Sequence, residues 1–216
     1  MWEIIGKSFE MMFKRPIFFV PALLPAVISL VLALLGIGFM YNQTDTSMAI
    51  GFVIVFIGIA LSFTAMLIAN SVIIHMAYEY EAYNRLNLSE SFNIVMNKLG
   101  IIFLVSTIIG IASAIGIVLF VLPGIVVILF TLFSMQEVVL LNKDVKEAIM
   151  GSYELVKQKF GSVIVFLLIM FIISLPISII LKFIPIIGPA AASLIIGTLS
   201  PIATTLFYMQ LREDQL

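Results

Sequence analysis

Charged residues divide this chain into apolar runs too long for the core elements of a water-soluble fold. One run occupies residues 17–40, between Arg15 and Asp45, and a second occupies 48–74, between Asp45 and His75. A helix crossing a hydrocarbon core of about 30 Å needs about 20 apolar residues. The 38 uncharged residues between Lys98 and Glu137 therefore hold two spans, and Leu122, Pro123 and Gly124 predict the turn between them. The second of these, the fourth span, is then expected at about 124–141, and the fifth and sixth at about 160–181 and 186–208. The pattern predicts an all-α integral membrane protein with six transmembrane helices arranged as three hairpins.

The first run follows Lys7, Lys14 and Arg15, as a secretory signal would, but a signal core is about 7–15 apolar residues and this one continues to residue 40. It reads as a retained helix. Pro21 and Pro25 should bend it or delay its start.

Six spans put both termini on one side with segments 77–98 and 142–160, and put 41–47, 122–124 and 182–188 on the other. Ten basic residues lie on the terminal side: Lys7, Lys14, Arg15, Arg85, Lys98, Lys143, Lys146, Lys157, Lys159 and Arg212. Lys182 lies opposite them. By the positive-inside rule both termini are expected in the cytoplasm, in a multi-pass protein of the plasma membrane.

Three stretches share a pattern: Ser8-Phe9-Glu10 leading to Arg15, Ser91-Phe92-Asn93 leading to Lys98, and Ser152-Tyr153-Glu154 leading to Lys159. Each sets an aromatic after the serine, a cation seven residues beyond it, and a long apolar span next. The expectation is a pseudo-threefold internal repeat in one membrane domain, with units near 1–76, 77–141 and 142–216. Each unit opens with a cytoplasmic amphipathic helix N-capped by its serine. Leu88, Phe92 and Val95, and Val145, Ile149, Tyr153 and Val156, follow helical spacing on two of these segments. Lys14, Arg15, Lys98, Lys157 and Lys159 then fall at headgroup level as candidate contacts to membrane lipids.

Close packing of helices in lipid uses small residues at four-residue spacing. Ser106, Gly110 and Ala114 form such a stripe on the third span, and Ser193, Gly197 and Pro201 on the sixth. They are expected to make contacts within the chain, with subunit interfaces and room for a pathway as the alternatives. Polar residues inside spans mark functional positions. Asn70, Ser71, His75 and Glu79 make a polar stripe at the cytoplasmic end of the second span, and Gln136 and Glu137 sit inside the boundary of the fourth. His75 could bond Glu79 or Glu137, and His75 with Glu137 is the candidate proton-sensitive pair. The alternative is that both are satisfied structural groups at the interface.

Composition sharpens the environment and excludes chemistries. Hydrophobic residues make up 62% and charged residues 11%, against about 45–50% and about 25% in an ordinary soluble domain; mean hydropathy is +1.25. A net charge of −1 gives no basic excess for nucleic acid, and the absence of cysteine excludes thiol chemistry. A single histidine excludes a multi-histidine metal site within one chain. There is no phosphate loop and no nucleophile elbow, so neither enzymatic activity nor a cofactor is expected.

The run Val121-Leu122-Pro123-Gly124-Ile125, then Glu137, Glu147-Ala148, Ser152 and Phe160-Gly161, resembles a prokaryotic group of six-helix membrane proteins. It is similar to the membrane domain attached to some glycerophosphodiester phosphodiesterases and to the YciC-like membrane proteins. The opening Ser8-Phe9-Glu10, with Pro16 and Pro21, extends the likeness over nearly the whole chain. The resemblance implies architecture only, because this chain carries no phosphodiesterase domain. The functional expectation is a channel or transporter for a small solute or ion, assembled as a homo-oligomer. The alternative is a non-transporting scaffold or accessory protein that organises lipid or a partner through its amphipathic helices.

Overall fold

Proline, asparagine and extended breaks set the ends of the helices. The computed structural model describes residues 1–41, 44–184 and 187–213, without the side chains of 187 and 189. Asn42 and Gln43 of the expected polar loop, and Pro185 and Ile186 of the expected third turn, lie outside the described residues. Among the described residues the elements are helical throughout: α1 (Trp2–Lys14), a 3-10 turn (Pro16–Phe18), α2 (Phe19–Met40), α3 (Asp45–Tyr83), α4 (Leu88–Asn97), α5 (Leu99–Leu119), α6 (Val121–Phe130), α7 (Ser134–Leu141), α8 (Val145–Gln158), α9 (Phe160–Lys182) and α10 (Ile187–Glu213). Six stretches of the described residues are long and apolar enough to cross a membrane: Pro16–Met40, Asp45–Tyr83, Leu99–Leu119, Val121–Leu141, Phe160–Lys182 and Ala190–Glu213.

Arg15 leaves α1 at φ −129° and ψ 77°, because the ring of the following proline clashes with a helical predecessor. The 3-10 turn follows at once and α2 begins at Phe19, so the span opens at Pro16 and is not delayed, with Pro25 inside the helix. The second span runs on well beyond residue 74. Residues 75–83 contain no breaker, so α3 continues to Tyr83 and stops only where Asn84 takes up a left-handed φ of 53°. At 1.5 Å per residue its apolar part, 48–74, is about 40 Å long, more than a hydrocarbon layer of about 30 Å requires.

The turn between α5 and α6 falls earlier than the Pro-Gly pair predicts. Phe120 is the extended residue, and Pro123 sits in the first turn of α6, where its missing N–H costs no helical hydrogen bond. The glycines serve packing instead. A Cβ on Gly116 would lie 2.7 Å from the Gly124 nitrogen and 2.8 Å from its Cα, so the two helices touch backbone to backbone at the turn. The fourth span is also broken, between α6 and α7 at Thr131–Phe133, where no proline or glycine stands.

The serines of the repeated pattern do not cap their helices. Ser8, Ser91 and Ser152 lie inside α1, α4 and α8 and are fully buried. Capping falls to Asn87, which accepts from the Glu90 N–H at 3.1 Å, and to Asp144, which accepts from Glu147 at 2.8 Å in a reciprocal box. These residues sit at the true helix starts with extended backbones, the geometry an N-cap requires.

Sequential spans pack as α2 on α3, α5 on α6 and α9 on α10. The short helices pack across these pairs: α4 lies against α3, α8 against α7, and α1 against α10. Two apolar clusters meet around α7. One joins Met12, Ile73, Met76, Val95, Ile102, Val138 and Ile202; the other joins Phe133, Val156, Phe166 and Phe207. Away from these clusters the spans present Leu30, Leu34, Ile111, Val118, Phe171 and Ile172 outward, as helices surrounded by lipid do. Gly110 and Ala114 are exposed as well, and a Cβ on Gly110 would meet nothing within 4 Å. That end of the stripe faces outward, because α5 turns Ile102, Val105, Ser113 and Gly116 inward, while Ser106 is half-buried.

Candidate functional site

The helix ends that follow α3 and α7 are built alike. Among the described residues, Asn84 and Asn142 are the two non-glycine residues at positive φ, 53° and 56°. Beyond each, the next N–H reaches back six residues, from Arg85 to the Glu79 carbonyl and from Lys143 to the Glu137 carbonyl, both at 3.3 Å. Asparagine tolerates this left-handed cap better than any other residue with a Cβ except aspartate. At α7 the reversal folds the Lys143 side chain back toward the helix it follows.

There it meets Glu137, whose side chain has 0% exposure. Lys143 Nζ lies 2.5 Å from Oε2. On the other oxygen, Tyr208 donates its hydroxyl to Oε1 at 3.0 Å, and Arg212 pairs with the same atom through Nη2. Arg212 Nε also donates to the Tyr208 hydroxyl at 3.2 Å. Gly151 of α8 makes room for the group, since a Cβ there would stand 2.8 Å from Oε2 and 2.8 Å from the lysine nitrogen. One buried carboxylate thus joins α7, the loop after it, α8 and the last turn of α10. Lys143 and Arg212 keep 28% and 35% of their side chains exposed, so the excess positive charge is shared with solvent rather than buried.

His75 belongs to a different group. Its Nδ1 is 3.0 Å from Ser91 Oγ, a bond that ties α4 back to α3. Ser152 ties α8 back in the same sense: its hydroxyl donates to the Phe130 carbonyl at 2.8 Å and accepts from the Phe133 N–H at 3.0 Å. This serine satisfies the backbone freed at the α6–α7 break. Ser8 makes only a local bond, to Ile4 O at 2.8 Å.

The residues singled out from the sequence are therefore distributed among separate groups. Glu137 pairs with Lys143, Tyr208 and Arg212, and His75 pairs with Ser91. Glu79 is half-buried at its helix end, Asn70 lines a cavity between α2, α3 and α10, and Ser71 Oγ and Gln136 Oε1 are buried without a partner. The basic residues also differ in direction. Lys14 pairs with Glu10 at 2.6 Å on the exposed face of α1. Arg15 stands over the Tyr80 ring and Lys157 over the Tyr153 ring, 5.8 and 5.9 Å from the centroids. Lys98 turns inward and donates to the Val139 and Val138 carbonyls at 2.8 and 3.4 Å, capping the end of α7. Burial pushes its ammonium below the ordinary lysine range. Lys159 is half-buried where α8 ends.

Three partners of Glu137 were not anticipated. Two signals for them stand in the sequence: the matched Glu79…Asn84-Arg85 and Glu137…Asn142-Lys143 spacings, and Arg212 as the basic residue closing α10. Both oxygens of Glu137 contact groups of the same chain. Among the described residues no group of three His, Asp or Glu converges as metal ligands. Comparison with protein-family models, with curated proteins and with solved structures finds no match to this chain.

Proposed function

We propose that this chain is a non-catalytic membrane protein that organises lipid through a collar of three amphipathic helices, α1, α4 and α8. The observation that carries this reading is the direction of its polar groups. Glu137, His75 and Lys98 face inward onto protein partners, whereas the collar turns aromatic and basic residues outward. Trp2 and Phe13 are 67% and 61% exposed on α1, and Phe92 and Tyr153 are exposed on α4 and α8. Aromatic rings with neighbouring cations suit the headgroup layer, where each meets the medium it prefers.

The proposal includes the finer architecture: three repeated units, each a collar helix followed by a hairpin, with both termini cytoplasmic. Support comes from the matched asparagine caps, from Ser91 and Ser152 each bonding back to the preceding span, and from α1 lying on α10 as α4 lies on α3 and α8 on α7. It also includes kinship with the membrane domain of glycerophosphodiester phosphodiesterases. Assembly of copies through the outward stripe of Gly110 and Ala114 is the corresponding oligomer proposal.

The test is charge reversal at Lys14, Arg15 and Lys157 together, in nanodiscs of phosphatidylcholine with phosphatidylglycerol. Loss of most of the phosphatidylglycerol enrichment around the protein is expected. Unchanged enrichment in the folded variant overturns the reading.

Transport is favoured by a separate observation. Ser71, Gln136, Thr198 and Thr205 are buried on α3, α7 and α10 with side-chain oxygens that have no protein partner, and such atoms call for water or solute. Flux across proteoliposomes that falls in Gln136→Leu and Thr205→Val would support this second reading; flux absent in the parent chain would remove it.

A further inference from the structure

Of the sixth span's small residues Pro201 is buried in the packing, but Ser193 and Gly197 face open space. Ser193 and Gly197 of α10, with Ala22 and Ala26 of α2 and Ser62 and Ala69 of α3, line a cavity of about 640 Å³. A second cavity of about 280 Å³ shares Ser29 and Ser62 with it and continues along α2 and α3 to Ala33, Val55 and Gly58. No lining residue is charged. From Val55 to Asn70 the groove follows α3 for about 22 Å at 1.5 Å per residue. One leaflet of a core of about 30 Å is about 15 Å deep, so the groove is long enough to take a whole acyl chain.

Three helices that are each long and apolar enough to span a membrane form its walls, and they present Leu23, Val27, Phe63 and Met66 beside it. Hydrocarbon therefore lies outside the groove. An empty space of this size forfeits dispersion contacts along all its walls, and a dominantly apolar lining gives water too few partners. Polar groups are sparse but placed. Ser62 Oγ is buried without a partner, while Ser29 and Ser193 bond to their own helices at Ala26 O and Ala190 O. Pro201 has no N–H for the Gly197 carbonyl.

We infer that the groove between α2, α3 and α10 is a binding site for a phospholipid acyl chain, held between helices rather than exchanging at the outer surface. This deepens the lipid-organising reading but uses different residues. Reversing the collar charges should leave acyl occupancy unchanged, so the two readings fail separately.

The experiment places the full chain in phosphatidylcholine vesicles doped with a phosphatidylcholine carrying a diazirine on its acyl chain, and maps adducts after photolysis. The expected result is a several-fold excess of adducts at 22–29, 62–70 and 190–197 over the outward faces of α5 and α9. Ala26→Phe and Gly197→Phe should remove that excess and leave α9 labelling unchanged. Gly197 has nothing within 4 Å of an added Cβ, so the larger side chain meets open space first. Uniform labelling over all lipid-facing helices of the parent chain overturns the inference, as does labelling that the folded Phe variants leave unchanged. Protein-to-protein crosslinks through the groove would assign it to a second copy and overturn it equally.

Discussion

Tyr208 donates to Glu137 Oε1 at 3.0 Å across 71 residues of sequence, and with the Arg212 pair on the same oxygen that bond ties α10 to α7. Removing both cations that face this carboxylate leaves a fully buried charge with one hydroxyl partner. Breaking a buried pair in this way costs about 3–5 kcal/mol. Lys143→Ala with Arg212→Ala should therefore destabilise the protein by about that amount in mixed-micelle unfolding. Adding Glu137→Gln to the double variant should recover a large part of the loss, because the uncompensated charge is then gone. A triple variant no more stable than the double would show that the damage comes from lost packing.

Ser152 and Ser8 occupy matched positions in the sequence and are both fully buried, yet they do different jobs. Ser152 holds a donor and an acceptor of the α6–α7 break, and its loss leaves buried backbone groups unpaired, at about 1–3 kcal/mol each. Ser8 bonds only to a carbonyl that its own helix already engages. Ser152→Ala should lower the unfolding midpoint clearly and Ser8→Ala by less than about 1 kcal/mol. Faster amide exchange at Phe133 in the Ser152 variant would locate the effect at the break.

Gly116 and Gly124 predict an asymmetry among the glycines. A methyl at Gly116 meets backbone atoms at 2.7 and 2.8 Å, which cannot move without shifting the turn, so Gly116→Ala should cost about 1–3 kcal/mol. Gly100, also on α5, has nothing within 4 Å. There alanine should be neutral or stabilise by up to about 1 kcal/mol through helix propensity. Equal effects of the two substitutions, read from unfolding midpoints, would contradict the backbone contact at the turn.

The spans were legible because lipid makes charge placement expensive, so Arg15, Asp45, Lys98 and Glu137 delimit apolar runs with little ambiguity. The ends of those runs were less legible. Residues 75–83 carry charge and polarity but no breaker, and α3 extends through them until Asn84. The break at Thr131–Phe133 has no local signal at all, since the group that stabilises it is Ser152, nineteen residues from Phe133. Glu137 announced itself as a carboxylate inside the boundary, but two of its partners lie 71 and 75 residues away. The third is near in sequence, and only the left-handed backbone of Asn142 brings it round.

Lys98 and Lys14 give a final prediction, because burial and pairing act on them in opposite directions. Lys98 donates to carbonyls at the end of α7, and burial lowers its affinity for a proton below the ordinary value near 10.5. Lys14 is exposed, and its hydrogen bond to Glu10, with the attraction of that carboxylate, raises it above 10.5. For Lys98 the unfolded chain holds its proton to higher pH than the folded one, so stability due to this residue rises as pH climbs from its folded value toward 10.5. For Lys14 the sign is reversed: the contribution is complete below 10.5 and fades as pH passes its folded value. Direct ¹⁵N detection of lysine side chains in nanodiscs should show Lys98 losing its proton first. Lys14→Met should leave the Lys98 midpoint in place, and titration in the opposite order would remove Lys98 from the α7 carbonyls.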